Sequence, residues 1–325
     1  MRIAYYEQNG AAADVLKLGT VDDPRPGPGE VRVRLRTSGV NPSDVKTRAG
    51  LTRKMVFPRV VPHSDGAGEI DLVGDGVPAA RKGERVWIWN GQWKRANGTA
   101  AEYIVVPQDQ AVKLPPEVSF EAGACLGIPA LTAWHAVELA GAAKGKTILI
   151  SGGAGAVAHY AIQFAKARGA TVITTVSSPA KAKIARDAGA DHVIDYKSET
   201  VGERVAAITG KTGVDAVVEV DLSANAALLP QVLRPKGIVV VYGTGPQATI
   251  PASFCLVNSI KLLFMLVYEL APDERARAIA DITRMLEANR LVHNVAATYP
   301  LDQIVAAHQA QEQGKAIGNI VLRVA

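Results

Sequence analysis

Five short apolar runs, separated by alanine-rich segments, constrain the fold of this chain more than any other feature. The runs, between residues 147 and 243, are TILIS, TVITTV, HVIDY, GVDAVVEV and GIVVVYG. Segments between them, such as AHYAIQFAKARG and AKAKIARDAG, have the composition of helices. This alternation predicts an α/β, doubly wound parallel sheet with helices on both faces and right-handed crossovers. A sixth strand near residues 260–267 is expected to complete the sheet.

The N-terminal part of the chain favours a β-rich domain instead. EVRVRLRTSGV alternates polar and apolar residues with period two, which predicts a strand with one solvated face. Turn clusters such as DDPRPGPGE and GDGVP separate further strand candidates, RVWIWNG and AEYIVVP, as in a small barrel or sandwich. After the sixth strand we predict helices near 273–289 and 301–313, then a strand in GNIVLRVA that rejoins the first domain. The predicted domains are therefore 1–118 with 271–325, and 119–270.

Charge, hydropathy and cysteine usage exclude several classes of function. The net charge is +5 with an isoelectric point near 9.1, but the cations are scattered along the chain, so we expect no nucleic-acid partner. The most apolar stretch, LLFMLV, is too short to span a bilayer, so we expect no membrane partner. Cys125 and Cys255 form no CxxC pair, and the N-terminus MRIAYYEQNG lacks an apolar signal region. These observations predict a cytoplasmic protein in a reducing compartment.

The stretch SGGAGAVAHYA, residues 151–161, follows a predicted strand and opens a predicted helix. This is the context of a dinucleotide-binding turn. Gly153 is expected to permit the tight turn, Gly155 to let the backbone approach a pyrophosphate, and Ala158 to allow close helix–strand packing. We predict that backbone amides bind the diphosphate; they belong to Gly153, Ala154, Gly155, Ala156 and Val157. The alternative is a tight turn without a ligand.

The end of the second strand indicates which dinucleotide binds. NAD sites place an acidic residue about 20 positions after the glycines, but this region reads TTVSSPAKAK. Ser177, Ser178 and Lys181 instead offer hydroxyl donors and a cation suited to a 2′-phosphate. The sequence therefore predicts NADPH, with a solvated Lys181 as the alternative.

Several strings together resemble the zinc-independent medium-chain dehydrogenase/reductases, and among them the zeta-crystallin-like quinone oxidoreductases. The strings are SGVNPSDVKTRAG, SDGAGEIDLVGDGV, KGERVW, GTAAEYIVVP, GIPALTAWHAV, GADHVIDY and GKAIGNIVL, with the glycine stretch. The resemblance implies a GroES-like catalytic domain and a Rossmann domain with NADPH between them. It also implies a homodimer formed through the edge strand in IKLLFMLVYEL, the alternative being a buried edge within a monomer.

The resemblance also bears on metal binding. Where zinc-dependent relatives have a catalytic cysteine this chain has Asn41, and where they have a histidine before an acid it has Ser64 before Asp65. His63 is one residue out of register, and we expect it to be a satisfied surface or turn residue. With only two cysteines no zinc site of that kind can form. This implies hydride transfer, without metal, to an acceptor that is already electrophilic: a quinone or an α,β-unsaturated carbonyl compound.

Two residues of the first domain are implied catalytic candidates. Asn41 matches a family asparagine whose amide hydrogen-bonds a carbonyl as negative charge develops. Its alternative is a turn-forming residue before Pro42. Lys46 stands where quinone reductases of this kind often have tyrosine. A buried lysine at this position can donate a proton. The alternative is a solvated lysine, and the sequence does not distinguish the two.

Four further residues match family positions near the cofactor. Thr132 corresponds to a contact of the nicotinamide amide, or is a helix-interior threonine. Tyr196 corresponds to a residue near the adenosine phosphate, or is a strand-end tyrosine. Gly243 ends the fifth strand, where a side chain would obstruct the cofactor, and Asn319 replaces a frequent lysine.

Two other functions compete with a medium-chain reductase: a short-chain dehydrogenase and a non-catalytic NADPH-binding protein. A short-chain dehydrogenase is excluded, because no tyrosine here has lysine four residues later. A non-catalytic NADPH-binding redox sensor or structural protein remains the alternative to an enzyme, since fold does not fix function.

Overall fold

The computed structural model describes residues 1–314 and 316–324, and these form two compact units. One unit comprises Met1–Pro129 and the chain from Ile279 onward, and the other comprises Ala130–Ala278. Lys315, in the string GKAIGNIVL, lies outside the described residues. Among the described helices, none combines the length and apolar character needed to cross a membrane.

The first unit is rich in strands, as predicted. Along β3 the buried residues Val31, Val33 and Leu35 alternate with more exposed arginines, which confirms a strand with one solvated face. The strands are β1 (Arg2–Tyr5), β2 (Lys17–Thr20), β3 (Glu30–Val40), β4 (Asp65–Val73), β5 (Arg85–Ile88), β6 (Tyr103–Pro107) and β7 (Ala111–Lys113). The helices are α1 (Ala12–Val15), α2 (Pro42–Arg48) and α3 (Phe120–Gly123).

The second unit contains one parallel six-stranded sheet. Its strands are β8 (Thr147–Ile150), β9 (Thr171–Val176), β10 (His192–Asp195), β11 (Val214–Glu219), β12 (Leu233–Val241) and β13 (Lys261–Phe264). The helices are α4 (Leu131–Leu139), α5 (Ala156–Ala167), α6 (Pro179–Asp187), α7 (Val201–Ile208), α8 (Leu222–Asn225), α9 (Leu229–Val232) and α10 (Ala252–Val257). The strand order β10-β9-β8-β11-β12-β13 reverses beside β8, as in a doubly wound dinucleotide-binding fold. The predicted parallel sheet, including its sixth strand, is confirmed.

The closing segment returns to the first unit within α11 (Pro272–Glu287), since the second unit ends at Ala278. It continues with β14 (Val295–Pro300), α12 (Ile304–Glu312) and β15 (Asn319–Arg323). β15 pairs antiparallel with β3, from Ile320 opposite Val40 to Arg323 opposite Thr37. The prediction that the C-terminal strand rejoins the first domain is therefore confirmed. β3 is the centre of this seven-stranded sheet, since it also pairs with β4 and β6.

Candidate cofactor and acceptor sites

The turn between β8 and α5 contains the glycine stretch, and its positions require glycine for different physical reasons. Gly152 adopts a φ of +72°, so the left-handed conformation that a side chain disfavours lies there. Gly153 instead packs against β9, where an added Cβ would lie 2.2 Å from Thr174 Oγ1. Gly155 N donates to Gly152 O at 2.8 Å, so Gly153 and Ala154 are the central residues of a tight turn. Gly153 therefore lies in the turn as predicted, and its packing against Thr174 is the reason that it carries no side chain.

The start of α5 offers hydrogen-bond donors to an anion. Two of the five predicted donors, the amides of Gly153 and Gly155, already donate to protein carbonyls at 3.0 and 2.8 Å, and Ala154 is buried in the turn. No side chain caps α5, and its first turn contains no acidic residue. The opening amides of a helix have no partner within it, so the donors best placed for a phosphate are those of Ala156 and Val157.

Ser177, Ser178 and Lys181 lie together where β9 ends and α6 begins. Lys181 Nζ donates to Ser177 Oγ at 2.9 Å, and Ser178 Oγ caps α6 by accepting the Lys181 amide at 3.3 Å. The glycine turn reaches the same strand, since Gly152 N donates to Thr175 Oγ1 at 3.1 Å. Two hydroxyls and an ammonium group beside the turn have the chemistry that a phosphate monoester requires.

Tyr196 and Gly243 follow the ends of two other strands of this sheet. Tyr196 is 48% exposed, and its amide donates to Val176 O at 3.1 Å, so it lies beside the end of β9. At Gly243 an added Cβ would lie 2.1 Å from Val220 O. Backbone packing alone therefore requires glycine at position 243, whatever its clearance for a cofactor.

Glu219 is a residue that the sequence analysis missed. Its Oε2 accepts the Ser151 hydroxyl at 2.8 Å, and its Oε1 accepts Asp221 N and Asn225 Nδ2 at 2.7 and 2.8 Å. The carboxylate is buried and joins the turn after β8 to the turn after β11. A carboxylate inside the apolar run AVVEV is the signal that would have indicated it.

Thr132 and Asn319 are both buried. Thr132 lies in the first turn of α4, and Asn319 opens β15, where its Nδ2 donates to Asn294 O at 3.1 Å. The amide of Asn319 is therefore engaged within its own unit. The cofactor contacts of these two residues remain predictions.

Asn41 stands at the junction of β3 and α2, with Pro42 at the first helical position. Its backbone N–H donates to Asp44 Oδ2 at 2.8 Å, and its Nδ2 donates to Asp65 Oδ2 at 2.9 Å. All three side chains are buried. Two carboxyl groups thus fix the asparagine in one orientation, and a primary amide held by one N–H keeps a second for another acceptor.

Burial raises the pKa of both carboxyl groups. The pKa of Asp44 rises to about 7, chiefly because the side chain is removed from water, and hydrogen bonds from Asn41 offset part of the rise. The pKa of Asp65 rises well above its usual range, from burial and from the neighbouring Asp44. Near neutral pH this pair therefore does not carry two full negative charges.

His63 is fully buried, so the expectation of a surface position is wrong. Its backbone does adopt a turn conformation, with a φ of 78°. Its Nδ1 lies 2.9 Å from Ser38 Oγ and its Nε2 lies 2.8 Å from His308 Nε2. Burial lowers the pKa of His63 to about 3. Because both ring nitrogens are engaged, this histidine offers no free metal ligand.

Lys46 lies on α2 with its side chain exposed. The burial that a proton-donating role requires is therefore absent, and the structure corrects that part of the expectation. The exposed position favours a solvated cation.

The cysteines are both free, and Cys125 is buried. The Cys125 thiol donates to Glu121 O at 3.2 Å, and burial raises its pKa well above the usual range, so it is a thiol rather than a thiolate. Within residues 1–314 and 316–324, no three His, Cys, Asp or Glu side chains are grouped as a metal ion would require.

Comparison with known families gives two matches on this chain. The family described as alcohol dehydrogenase GroES-like domain matches residues 27–116. The family described as zinc-binding dehydrogenase matches residues 156–284. The two matches fall on the β-rich first unit and on the parallel sheet of the second.

Individual proteins are similar over nearly the whole chain. A quinone oxidoreductase of Pseudomonas aeruginosa is 30% identical over 318 residues, covering 95% of each chain. A 2-haloacrylate reductase of a Burkholderia species is 30% identical over 311 residues, covering 91% of each. Among solved structures, mycobacterial Rv1454c complexed with NADPH has a TM-score of 0.89 at 29% identity, covering 100% of both chains.

Proposed function

The chain belongs to the quinone oxidoreductase family of medium-chain dehydrogenase/reductases, and we propose that it reduces a quinone or an α,β-unsaturated carbonyl compound with NADPH and without metal. It is an NADPH-dependent oxidoreductase, as the NADPH complexes of similar structures support. Both acceptor classes agree with the names of its relatives, which include a quinone oxidoreductase and a 2-haloacrylate reductase.

The residues of the second unit fit NADPH. The amides of Ala156 and Val157, at the uncapped start of α5, would bind the diphosphate. Ser177, Ser178 and Lys181 would bind the 2′-phosphate, which NADH lacks. When bound, NADPH supplies a hydride to the acceptor.

The observation that carries the metal-independent part of the proposal is the buried cluster of Asn41, Asp44 and Asp65. An amide stands where a metal thiolate would be needed, and it is already hydrogen-bonded to a carboxyl group. His63 has both ring nitrogens engaged, and Cys125 is a buried thiol. These side chains support hydrogen bonding to an acceptor and not coordination of zinc.

In this proposal the Nδ2 of Asn41 donates a hydrogen bond to the carbonyl oxygen of the acceptor. A conjugated carbonyl develops negative charge on that oxygen when hydride adds to carbon, so a fixed donor stabilises the transition state. Asp65 holds the amide in place. The reduced acceptor gains one hydride and one proton, and the proton comes from water.

The sheet of the second unit ends at β13, whose outer edge no described strand covers. Exposed apolar side chains lie on and beside it: Phe264 (65%), Leu266 (54%), Leu256 (82%) and Val257 (80%). We propose that this edge forms a homodimer, since such patches on soluble proteins mark association surfaces.

Two free cysteines support a cytoplasmic location.

The test is steady-state oxidation of NADPH against a panel of quinones and 2-alkenals, before and after dialysis against a chelator. We expect turnover with at least one acceptor class and no loss of rate after dialysis. Tight NADPH binding without turnover on any acceptor would favour the redox-sensor alternative. A rate abolished by the chelator and restored by zinc would overturn the metal-independent mechanism.

A further inference from the structure

The first unit collects positive charge around the helix that Asn41 opens. The segment 42–59 contains five cations and a single acid, Asp44; the cations are Lys46, Arg48, Arg53, Lys54 and Arg59. The loop 90–98 adds Lys94 and Arg95 and contains no acid. The segment 42–59 is therefore a local exception to the otherwise scattered charge, and the contact of Arg53 with Trp93 brings the basic loop 90–98 beside it.

Arg53 links this segment to the loop 90–98 by packing on an aromatic ring. Its guanidinium carbon lies 4.2 Å from the centroid of the Trp93 ring, and Lys94 Nζ lies 5.5 Å from the same centroid. Such stacking orients a guanidinium plane and leaves its N–H groups directed outward from the edge of that plane. Across residues 1–314 and 316–324, no carboxylate lies within ion-pair distance of Arg53.

The segment that carries Arg53 folds back on α2. Leu51 N donates to Lys46 O at 2.9 Å, and Met55 N donates to the side-chain oxygen of Asn9 at 3.3 Å. Asn9 in turn donates to Thr47 O at 2.9 Å. These bonds hold residues 51–55 against the helix whose first residue follows Asn41.

A second arginine of the same region shows what a structural arginine does here. Arg48 is fully buried and forms an ion pair with Glu312, and it also donates to Gly10 O at 2.6 Å. Among the residues that the structure describes, Arg53 has neither kind of partner. Its electrostatic influence reaches Asp44, whose carboxyl group instead accepts the backbone N–H of Asn41 at 2.8 Å. The guanidinium of Arg53 therefore stands near the Asn41 cluster with its hydrogen-bonding edge unused.

We propose that Arg53, stacked on Trp93, is an anion subsite that binds a carboxylate of the acceptor. The inference rests on the proposed function and narrows its substrate class to conjugated carbonyl compounds that carry a carboxylate group. A guanidinium binds a carboxylate through two parallel N–H···O bonds, which adds orientation to charge. Asn41 would then take the carbonyl oxygen and Arg53 the carboxylate of one molecule.

The test compares trans-3-benzoylacrylate with its methyl ester, because the two share one enone and differ in charge. We expect the wild-type protein to have the higher kcat/KM on the acid. Arg53→Gln should lower the acid-to-ester ratio about tenfold to hundredfold, the effect of losing a charge-assisted hydrogen bond. The change should lie mainly in KM. Lys54→Gln is the matched control, since it removes a neighbouring exposed cation and should leave the ratio within about threefold.

A second measurement does not depend on turnover. Binding of the saturated analogue 3-benzoylpropionate, followed by quenching of tryptophan fluorescence, should be lost in Arg53→Gln and weakened by salt in the wild type. A wild-type preference for the ester, or an unchanged ratio in Arg53→Gln, would overturn the subsite. So would reduction of quinones with neither benzoyl compound accepted, and this result leaves the proposed function standing. Failure to oxidise NADPH with any acceptor contradicts the proposed function instead.

Discussion

His63 and His308 meet edge to edge through their Nε2 atoms at 2.8 Å, with their ring planes inclined by 21° and both side chains fully buried. The direction of this hydrogen bond follows from the chain of hydrogen bonds that leads from the other ring nitrogen of His63 through Ser38 to Thr99. Thr99 Oγ1 donates its only proton to the backbone oxygen of Asp65, so Ser38 must donate to Thr99 and accept from His63 Nδ1. His63 Nε2 is then an acceptor, and the proton between the rings belongs to His308.

This pair predicts loss of stability in acid. Burial lowers the pKa of His63 to about 3 and that of His308 well below its usual value. Both folded-state values lie below the unfolded value of 6.5, so the unfolded chain binds more protons as the pH falls from 6.5 towards 3. Each histidine should cost about 1.4 kcal/mol of unfolding free energy per pH unit between its unfolded pKa and its own lowered folded pKa.

His308→Gln isolates the effect, because its amide keeps a donor for His63 Nε2 and cannot ionise. We expect the slope of unfolding free energy against pH, measured by urea denaturation between pH 6.5 and 4.5, to be shallower by about 1.4 kcal/mol per unit. His308→Leu, the control, should be about 1–3 kcal/mol less stable than His308→Gln at every pH, because His63 loses its partner and neither variant ionises at this position. Equal slopes in His308→Gln and the wild type would disprove the neutral pair.

The sequence could not indicate this network, because its members are scattered. Ser38, His63, Thr99 and His308 come from four separate parts of the chain, and only the pairing of β3 with β4 and the position of α12 unite them. Local spacing carries information only about neighbours in sequence. The contact between Arg53 and Trp93 was missed for the same reason. The parallel sheet, in contrast, was predictable, because each buried strand is a continuous apolar run of its own.

Asp44 gives the opposite pH dependence. Its folded pKa of about 7 exceeds the unfolded value of 3.8, so its neutral form stabilises the fold at low pH and this contribution is lost as the pH rises from 3.8 to about 7. Asp44→Asn cannot ionise and keeps an oxygen for the Asn41 N–H. Relative to the wild type it should gain about 1.4 kcal/mol per pH unit between pH 4.5 and 6.5, measured by urea denaturation. A difference that is constant over this range would contradict the raised pKa.

Substitutions at two glycines of the turn test folding and cofactor binding separately. A Cβ at Gly153 would lie 2.2 Å from Thr174 Oγ1, so Gly153→Ala should lower the urea midpoint. At Gly155 the nearest atom is Gly152 O at 3.2 Å and the backbone is extended, so Gly155→Ala should fold normally. Its methyl group would stand at the start of α5, and we expect the Kd for NADPH to rise about tenfold or more. An unchanged Kd in folded Gly155→Ala would remove α5 from the phosphate site.

Whether a site could be predicted from the sequence depends on how far apart in the chain its contacting residues lie. Ser177, Ser178 and Lys181 could be predicted as one group because a strand end and a helix start place neighbours together. The reason for Gly153 could not, because it depends on Thr174 in the adjacent strand. For Lys46 the sequence left a buried and a solvated lysine open, because burial is a property of the packed fold.

Cofactor preference tests the group at the end of β9. Lys181→Glu replaces the ammonium that lies beside Ser177 with a negative charge, and the 2′-phosphate is the only part of NADPH that NADH lacks. We expect the Kd for NADPH to rise about tenfold to hundredfold, with that for NADH changed less than about threefold. Lys183→Glu is the control, because this lysine lies on the same helix, exposed and paired with Asp187. Equal losses for both cofactors in Lys181→Glu would refute its role.

Self-association tests the uncovered edge of β13. Phe264 lies at this edge with its side chain 65% exposed, and Phe264→Lys replaces that side chain with a charged one. Burying an unpaired ammonium group in an interface costs several kcal/mol. We expect the wild-type protein to sediment as a dimer and Phe264→Lys as a monomer, by analytical ultracentrifugation at micromolar concentration. Leu18→Lys, on β2 of the first unit and 52% exposed, is the matched control and should remain dimeric. A dimer that survives Phe264→Lys with unchanged dissociation would place the interface elsewhere.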